Sequence, residues 1–104
     1  MTQDPPEHAI DVADDPAQSR YVAYVDGEVA GYSEYELDEP RRRIVIQHTE
    51  VDDAFEGRGV GGALVRGTLD DVRRRRLRVV PQCPFVKAWL EGHPDYQDLL
   101  RDPS

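Results

Sequence analysis

Four glycines within six positions are the residues best suited to chemistry: Gly57, Gly59, Gly61 and Gly62. They fall in the run Phe55-Glu56-Gly57-Arg58-Gly59-Val60-Gly61-Gly62-Ala63-Leu64, which leads directly into an amphipathic segment. Glycine lacks Cβ, so its backbone can take φ > 0 and lie close to a ligand. At a helix N-terminus such a loop offers unpaired N–H groups and the positive end of the helix dipole, a setting for phosphate or pyrophosphate. Further on, Pro84 suits a first helical position and so puts Cys83 at or beside an N-cap. A thiol there ionises more readily and can serve as nucleophile or proton donor; a small buried packing residue is the competing role. His48 is a general-base candidate, its reference pKa of ~6.5 lying near working pH. Glu50 is a second. Alternation puts both on the face of Ile44 and Ile46, where a satisfied, half-buried histidine is the competing role.

The elements that must position these residues follow from periodicity. Arg20 to Val25 is aromatic and β-branched, hence a strand, and Asp26-Gly27 signals a type I′ hairpin. Glu28 to Leu37 alternates, with Val29, Gly31, Ser33, Tyr35 and Leu37 on one face and Ala30, Tyr32, Glu34 and Glu36 on the other. Asp38-Glu39-Pro40 turns the chain into Arg43 to Val51, the third strand of a meander. A helix from about Val60 to Arg76 carries Val60, Leu64, Val65, Leu69 and Val72 inward. Its outer face pairs Arg66, Asp70 and Arg74, four apart. Arg73 to Arg76 read as a solvated helix end, suited to the negative pole of the dipole. Leu77 to Val80 is a short strand, expected parallel to the one before the helix through a right-handed crossover. A second helix, Phe85 to Glu91, has Phe85, Ala88 and Trp89 on its core side and stops at Gly92 and Pro94. Asp95 to Leu100 adds a helical turn or two. The fold class is α/β (α+β), an antiparallel meander followed by β-α-β-α.

Residues 1–19 contain three prolines and five acidic residues with no Lys or Arg. They read as a flexible leader with a possible short edge strand at 9–12, ahead of a single domain at 20–104. The full chain has 104 residues, 38% hydrophobic and 33% charged, enough for one lean core. Its net charge of −8 argues against general nucleic-acid or anionic-membrane binding and is compatible with cationic substrates. No apolar run approaches the ~20 residues of a membrane span, and no signal peptide is expected. Cys83 is the sole cysteine, so a reducing cytoplasm is the expected setting.

Three ligand motifs compete for the glycine loop. Gly57-x-Gly59-x-x-Gly62 has dinucleotide-binding spacing, but that motif needs a carboxylate at the end of the next strand, where this chain has Val80-Pro81-Gln82. A nucleoside-triphosphate loop needs Lys-Ser/Thr after its last glycine; Ala63-Leu64 stands there instead. The third fits. The order meander, glycine loop, helix, strand, helix resembles the GCN5-related N-acetyltransferases, whose pyrophosphate loop Gln/Arg-x-x-Gly-x-Gly/Ala is matched by Glu56-Gly57-Arg58-Gly59-Val60-Gly61, with Glu56 where the family has Gln or Arg. The blocks His48-Thr49-Glu50-Val51, Phe55 to Gly61, Pro81-Gln82-Cys83-Pro84-Phe85 and His93-Pro94-Asp95-Tyr96 resemble the compact branch of that superfamily.

The resemblance implies a minimal fold of that type, with one splayed parallel strand pair and the pantetheine arm between the two strands. It implies acetyl-CoA or CoA as co-substrate, no metal, and acetyl transfer to an unidentified amine. The backbone from Gly57 to Gly62 would take the pyrophosphate, with Glu56, Arg58, Val60, Pro84 and Lys87 nearby, and a backbone N–H near Glu50-Val51 would face the thioester oxygen. Cys83 becomes an active-site candidate. Tyr96 resembles the tyrosine that protonates the departing thiolate in larger relatives. A monomer or weak homodimer is expected. The competing class is a non-catalytic CoA-binding module acting as a sensor or partner protein.

Overall fold

The structure, a computed structural model, describes residues 10–101. It opens with strand β1 (Ile10–Asp15), followed by β2 (Arg20–Val25), β3 (Glu28–Asp38) and β4 (Arg43–Val51). Helix α1 (Val60–Arg74), strand β5 (Arg78–Pro81), helix α2 (Pro84–Glu91) and a 3₁₀ segment, Pro94–Leu100, complete the order. The strands form one sheet in sequence order, antiparallel from β1 to β4 and parallel between β4 and β5. This is the expected meander followed by β-α-β-α.

β1 differs from its expected extent. The edge strand reaches Asp15 and pairs with all of β2, Ile10 opposite Val25 and Asp15 opposite Arg20. Val12 is what anchors it: a Cβ built on Gly67 of α1 would lie 2.7 Å from Val12 Cβ, so the strand rests directly on the helix backbone. The part of the expected leader before Ile10 lies outside the described residues.

The Asp26-Gly27 hairpin has φ of 52° and 86°, the paired positive values of a type I′ turn. Two bulges break the alternation the sequence suggests. In β3 the register runs from Ala23↔Gly31 to Tyr24↔Val29, leaving Ala30 as an extra residue. Ala30 is consequently buried and Val29 exposed, the reverse of simple alternation. In β4 the register jumps from Glu34↔His48 to Tyr35↔Ile46, leaving Gln47 unpaired with β3. Ile44 and Ile46 are buried before the bulge, Gln47 and His48 are both exposed, and Thr49 turns back inward.

The core lies between the sheet and α1. The expected helical stripe, Val60, Leu64, Val65, Leu69 and Val72, is buried together with Thr68. Opposite it lie Tyr21, Ala23, Tyr35, Ile44, Ile46 and Val79. Each large aliphatic side chain so buried contributes about 1.5–3 kcal/mol relative to exposure. α1 ends earlier than expected. Arg76 takes φ of 59°, Arg76 N–H bonds Arg73 O, and Leu77 N–H bonds Val72 O, which makes a Schellman ending with an arginine at the left-handed position.

Candidate active site

The glycine turn divides into two pairs with different jobs. Gly59 is the N-cap of α1 with φ of 78° and ψ of 12°, no side chain caps the helix, and its first turn holds no acidic residue. Gly57 also has positive φ, 79°. A Cβ at either would meet nothing within 4 Å, so the backbone conformation demands glycine and the space beside it is open. The first intrahelical bond runs from Ala63 N–H to Gly59 O at 3.1 Å. The N–H groups of Val60, Gly61 and Gly62 precede it, at the positive pole of the helix. Arg58 lies 5.2 Å from the Phe55 ring centroid, and the Glu56 side chain is exposed.

Gly61 and Gly62 instead admit α2. A Cβ on Gly61 would lie 2.7 Å from Phe85 Cζ, and one on Gly62 would lie 3.8 Å from Trp89 Nε1. The expected core face of α2 is therefore corrected: Val86 and Leu90 are its buried residues, while Phe85 is 46% exposed and Ala88 is exposed. Phe85 lies against the first turn of α1 because Gly61 has no side chain, whereas a Cβ at Gly62 would make only an ordinary contact with Trp89. Lys87 lies on the other side of α2, lining a cavity of about 170 Å³ with Pro81, Leu90 and Gln97, and is not brought to the glycine turn. Pro84 occupies the start of α2 as expected and is exposed.

Cys83 is the N-cap of α2 and 3% exposed. Its N–H and that of Gln82 both bond Ile46 O at 3.0 Å, which ties the end of β5 to the residue before the β4 bulge. Burial pushes the thiol up, but the neighbouring Thr49 hydroxyl and the backbone N–H groups of Val86, Phe85 and Thr49 outweigh it and hold the thiol below its ordinary range. No formed capping bond accompanies this; the N–H groups act on the sulfur as dipoles. Thr49 was absent from the sequence-based candidates. Its nearness to Cys83 depends on the Gln47 bulge, which local pattern does not announce.

The same bulge corrects His48 and Glu50. Neither shares the buried face of Ile44 and Ile46; their side chains are 56% and 59% exposed, on the sheet face away from α1. His48 Nε2 lies 3.1 Å from Glu50 Oε1, and Tyr32 Oη donates to that same oxygen at 2.8 Å. These bonds, Tyr32 first and His48 second, hold the Glu50 carboxyl below its usual range. Thr49 and Cys83 thus lie on one side of β4, and His48 and Glu50 on the other. Val51, half-buried, stands opposite Gly31 at the end of the strand. The β4–β5 pairing stops at Ile46↔Pro81, where β5 ends, while β4 continues to Val51.

Tyr96 is corrected as well. Its ring is buried and its hydroxyl donates to Asp70 Oδ1 at 2.7 Å while Arg66 donates to it at 3.3 Å. Asp70 is the main reason its pKa is raised. The hydroxyl is committed to α1, where it clasps the C-terminal segment, and does not join Cys83.

An uncapped glycine turn at a helix N-terminus, beside the carboxyl end of a parallel strand pair, is the geometry of an anion-binding α/β fold. Residues 20–99 match the family model described as GCN5-related N-acetyl-transferase, and the chain belongs to that family. It is 36% identical over 61 residues to Protein NATD1 of Bos taurus and 34% identical over 61 residues to Protein NATD1 of Homo sapiens, each match covering 59% of this chain and 54% of the relative. The chain thus spans about half the length of the curated relatives it matches. In fold it is similar to a GCN5-like protein of Staphylococcus aureus solved by NMR, with a TM-score of 0.66, 23% identity and 93% of each chain covered.

Proposed function

We propose that the protein is an acetyl-CoA-dependent N-acetyltransferase acting on a small-molecule amine or a protein lysine or N-terminus, with Cys83 as an active-site thiol. One observation carries this reading: the first turn of α1 is uncapped and entered through left-handed Gly57 and Gly59, at the same end of the β4–β5 pair as Cys83. The residues present fit the cofactor. The N–H groups of Val60, Gly61 and Gly62 and the open space beside Gly57 and Gly59 suit a pyrophosphate. The stretch of β4 beyond Ile46, which has no β5 residue paired to it, would lie beside the thioester arm. When bound, acetyl-CoA supplies the activated acyl group.

The chain's own residues supply the rest. The Thr49 hydroxyl and the N–H groups at the start of α2 stabilise negative charge on the Cys83 sulfur. Across β4, the exposed His48–Glu50 pair faces the side open to an amine and takes its proton. A non-catalytic CoA-binding module is the second reading, favoured by the near-complete burial of Cys83. Mass spectrometry of the protein mixed with acetyl-CoA and an amine panel separates the two. An acetyl adduct lost in Cys83→Ala, or an acetylated amine, supports the enzyme; CoA binding with neither supports the module.

A further inference from the structure

Tyr32 has no part in the chemistry above, yet it is the residue that fixes Glu50. Its hydroxyl reaches from β3 to Glu50 Oε1 at 2.8 Å, while His48 Nε2 approaches the same oxygen at 3.1 Å. An ionised carboxylate only accepts, so His48 donates through Nε2. Both bonds fall on Oε1, and Oε2 takes none among the described residues. The Tyr32 ring is itself held: the Arg20 guanidinium carbon lies 5.1 Å from its centroid. A cavity of about 370 Å³ opens beside this group, with Val29, Gly31, Tyr32, Glu50, Val51 and Asp53 in its lining. Val29, 52% exposed through the β3 bulge, gives it an apolar wall.

We propose that Tyr32 is a positioning residue that keeps Glu50 ionised with Oε2 open, and that the cavity takes an aliphatic primary amine in its cationic form. A carboxylate locked through one oxygen offers the other to an ammonium at little conformational cost, and such charge-assisted bonds are about twice as strong as neutral ones. The alkyl chain lies on Val29. That this amine is the acetyl acceptor rests on the acetyltransferase reading; its binding does not.

The charged and titratable groups around Glu50 are His48 on its own strand, Tyr32 on β3, and Asp52 and Asp53 in the segment that follows, with Arg20 and Glu34 in the next cross-strand row. Because hydrogen bonds depress the Glu50 pKa, amine binding is present above that pKa and is lost as pH falls through it. Removing the Tyr32 hydroxyl raises the pKa and moves this loss to higher pH.

The test is an amide-resolved NMR titration of the whole chain with butylamine and, as an uncharged counterpart, butanol. Butylamine is expected to shift the Gly31, Tyr32, Glu50 and Val51 signals, and butanol is not. Glu50→Gln keeps an acceptor for Tyr32 but removes the charge, and weakens butylamine binding about tenfold, the scale of one charge-assisted bond. Tyr32→Phe keeps the ring under Arg20, weakens binding about threefold and moves the acid limb upward in pH. Equal binding of butanol, unchanged affinity in Glu50→Gln, or an unmoved acid limb in Tyr32→Phe overturns the proposal. Amine binding here without acetyl transfer would overturn the enzyme reading alone.

Discussion

The two ends of α1 obey opposite rules. At the C-terminal end nearly every polar group has a partner. Arg42 donates to Arg75 O at 2.7 Å and to Arg76 O at 3.2 Å, and the Schellman bonds satisfy Val72 O and Arg73 O. Tyr21 donates to Asp71 at 2.5 Å, Arg74 pairs with Asp71, and Arg75 reaches Asp14 and Tyr21 at 3.3 Å. The sequence-based reading of Arg73 to Arg76 as a solvated end holds for exposed Arg74 and Arg76, while Arg75 lies half-buried in this network. At the N-terminal end no side chain caps the helix, no acid neutralises its dipole, and the backbone is left-handed at two glycines. One end is finished by the protein alone, and the other keeps free the backbone donors that the proposed cofactor would use.

If that contrast is right, substitutions at the two ends separate binding from stability. The largest effect is expected at Gly59. Gly59→Val forces a β-branched residue to φ near 78° and weakens CoA binding by at least about tenfold, measured by calorimetry, while the melting temperature falls through backbone strain alone, since the space beside it is open and no packing is lost. A large loss of stability with intact CoA binding would break the contrast. Gly61→Val behaves differently: its side chain runs into Phe85, so both the melting temperature and CoA affinity fall.

At the other end, Asp71→Ala leaves the Tyr21 hydroxyl without its acceptor and removes one of the two carboxylates that Arg75 reaches. A loss of about 1–3 kcal/mol in denaturant unfolding is expected, with CoA affinity unchanged. Thr49→Val removes a neighbouring hydroxyl that lowers the Cys83 pKa. Thiolate absorbance followed against pH is then expected to appear at higher pH than in the unaltered protein; an unmoved curve would mean that Thr49 does not activate the thiol. The smallest effect is at Arg76, whose φ of 59° suits glycine. Arg76→Gly is expected to stabilise by about 0.5–1 kcal/mol, since relief of left-handed strain is partly offset by the greater freedom of the unfolded glycine.

Much of this was legible in the order of residues because it rests on local physics. Asp26-Gly27 demanded its turn, Pro84 made Cys83 an N-cap, and the spacing of Val60, Leu64, Val65, Leu69 and Val72 fixed the buried stripe of α1. Gly57 and Gly59 announced a left-handed entry that few other residues tolerate. What the tertiary structure decided was orientation and partnership. Gln47 resembles any strand residue, and only pairing β4 with β3 on one side and β5 on the other turns it into a bulge that moves His48 and Glu50 outward and Thr49 toward Cys83. Likewise, all four glycines of the loop look equivalent in sequence, and only the docking of α2 assigns Gly61 and Gly62 to Phe85 and Trp89, leaving Gly57 and Gly59 to shape the turn. Turn, cap and helix periodicity act within a few residues, whereas strand register and helix docking depend on groups far apart in the chain, whose contacts exist only once it has folded.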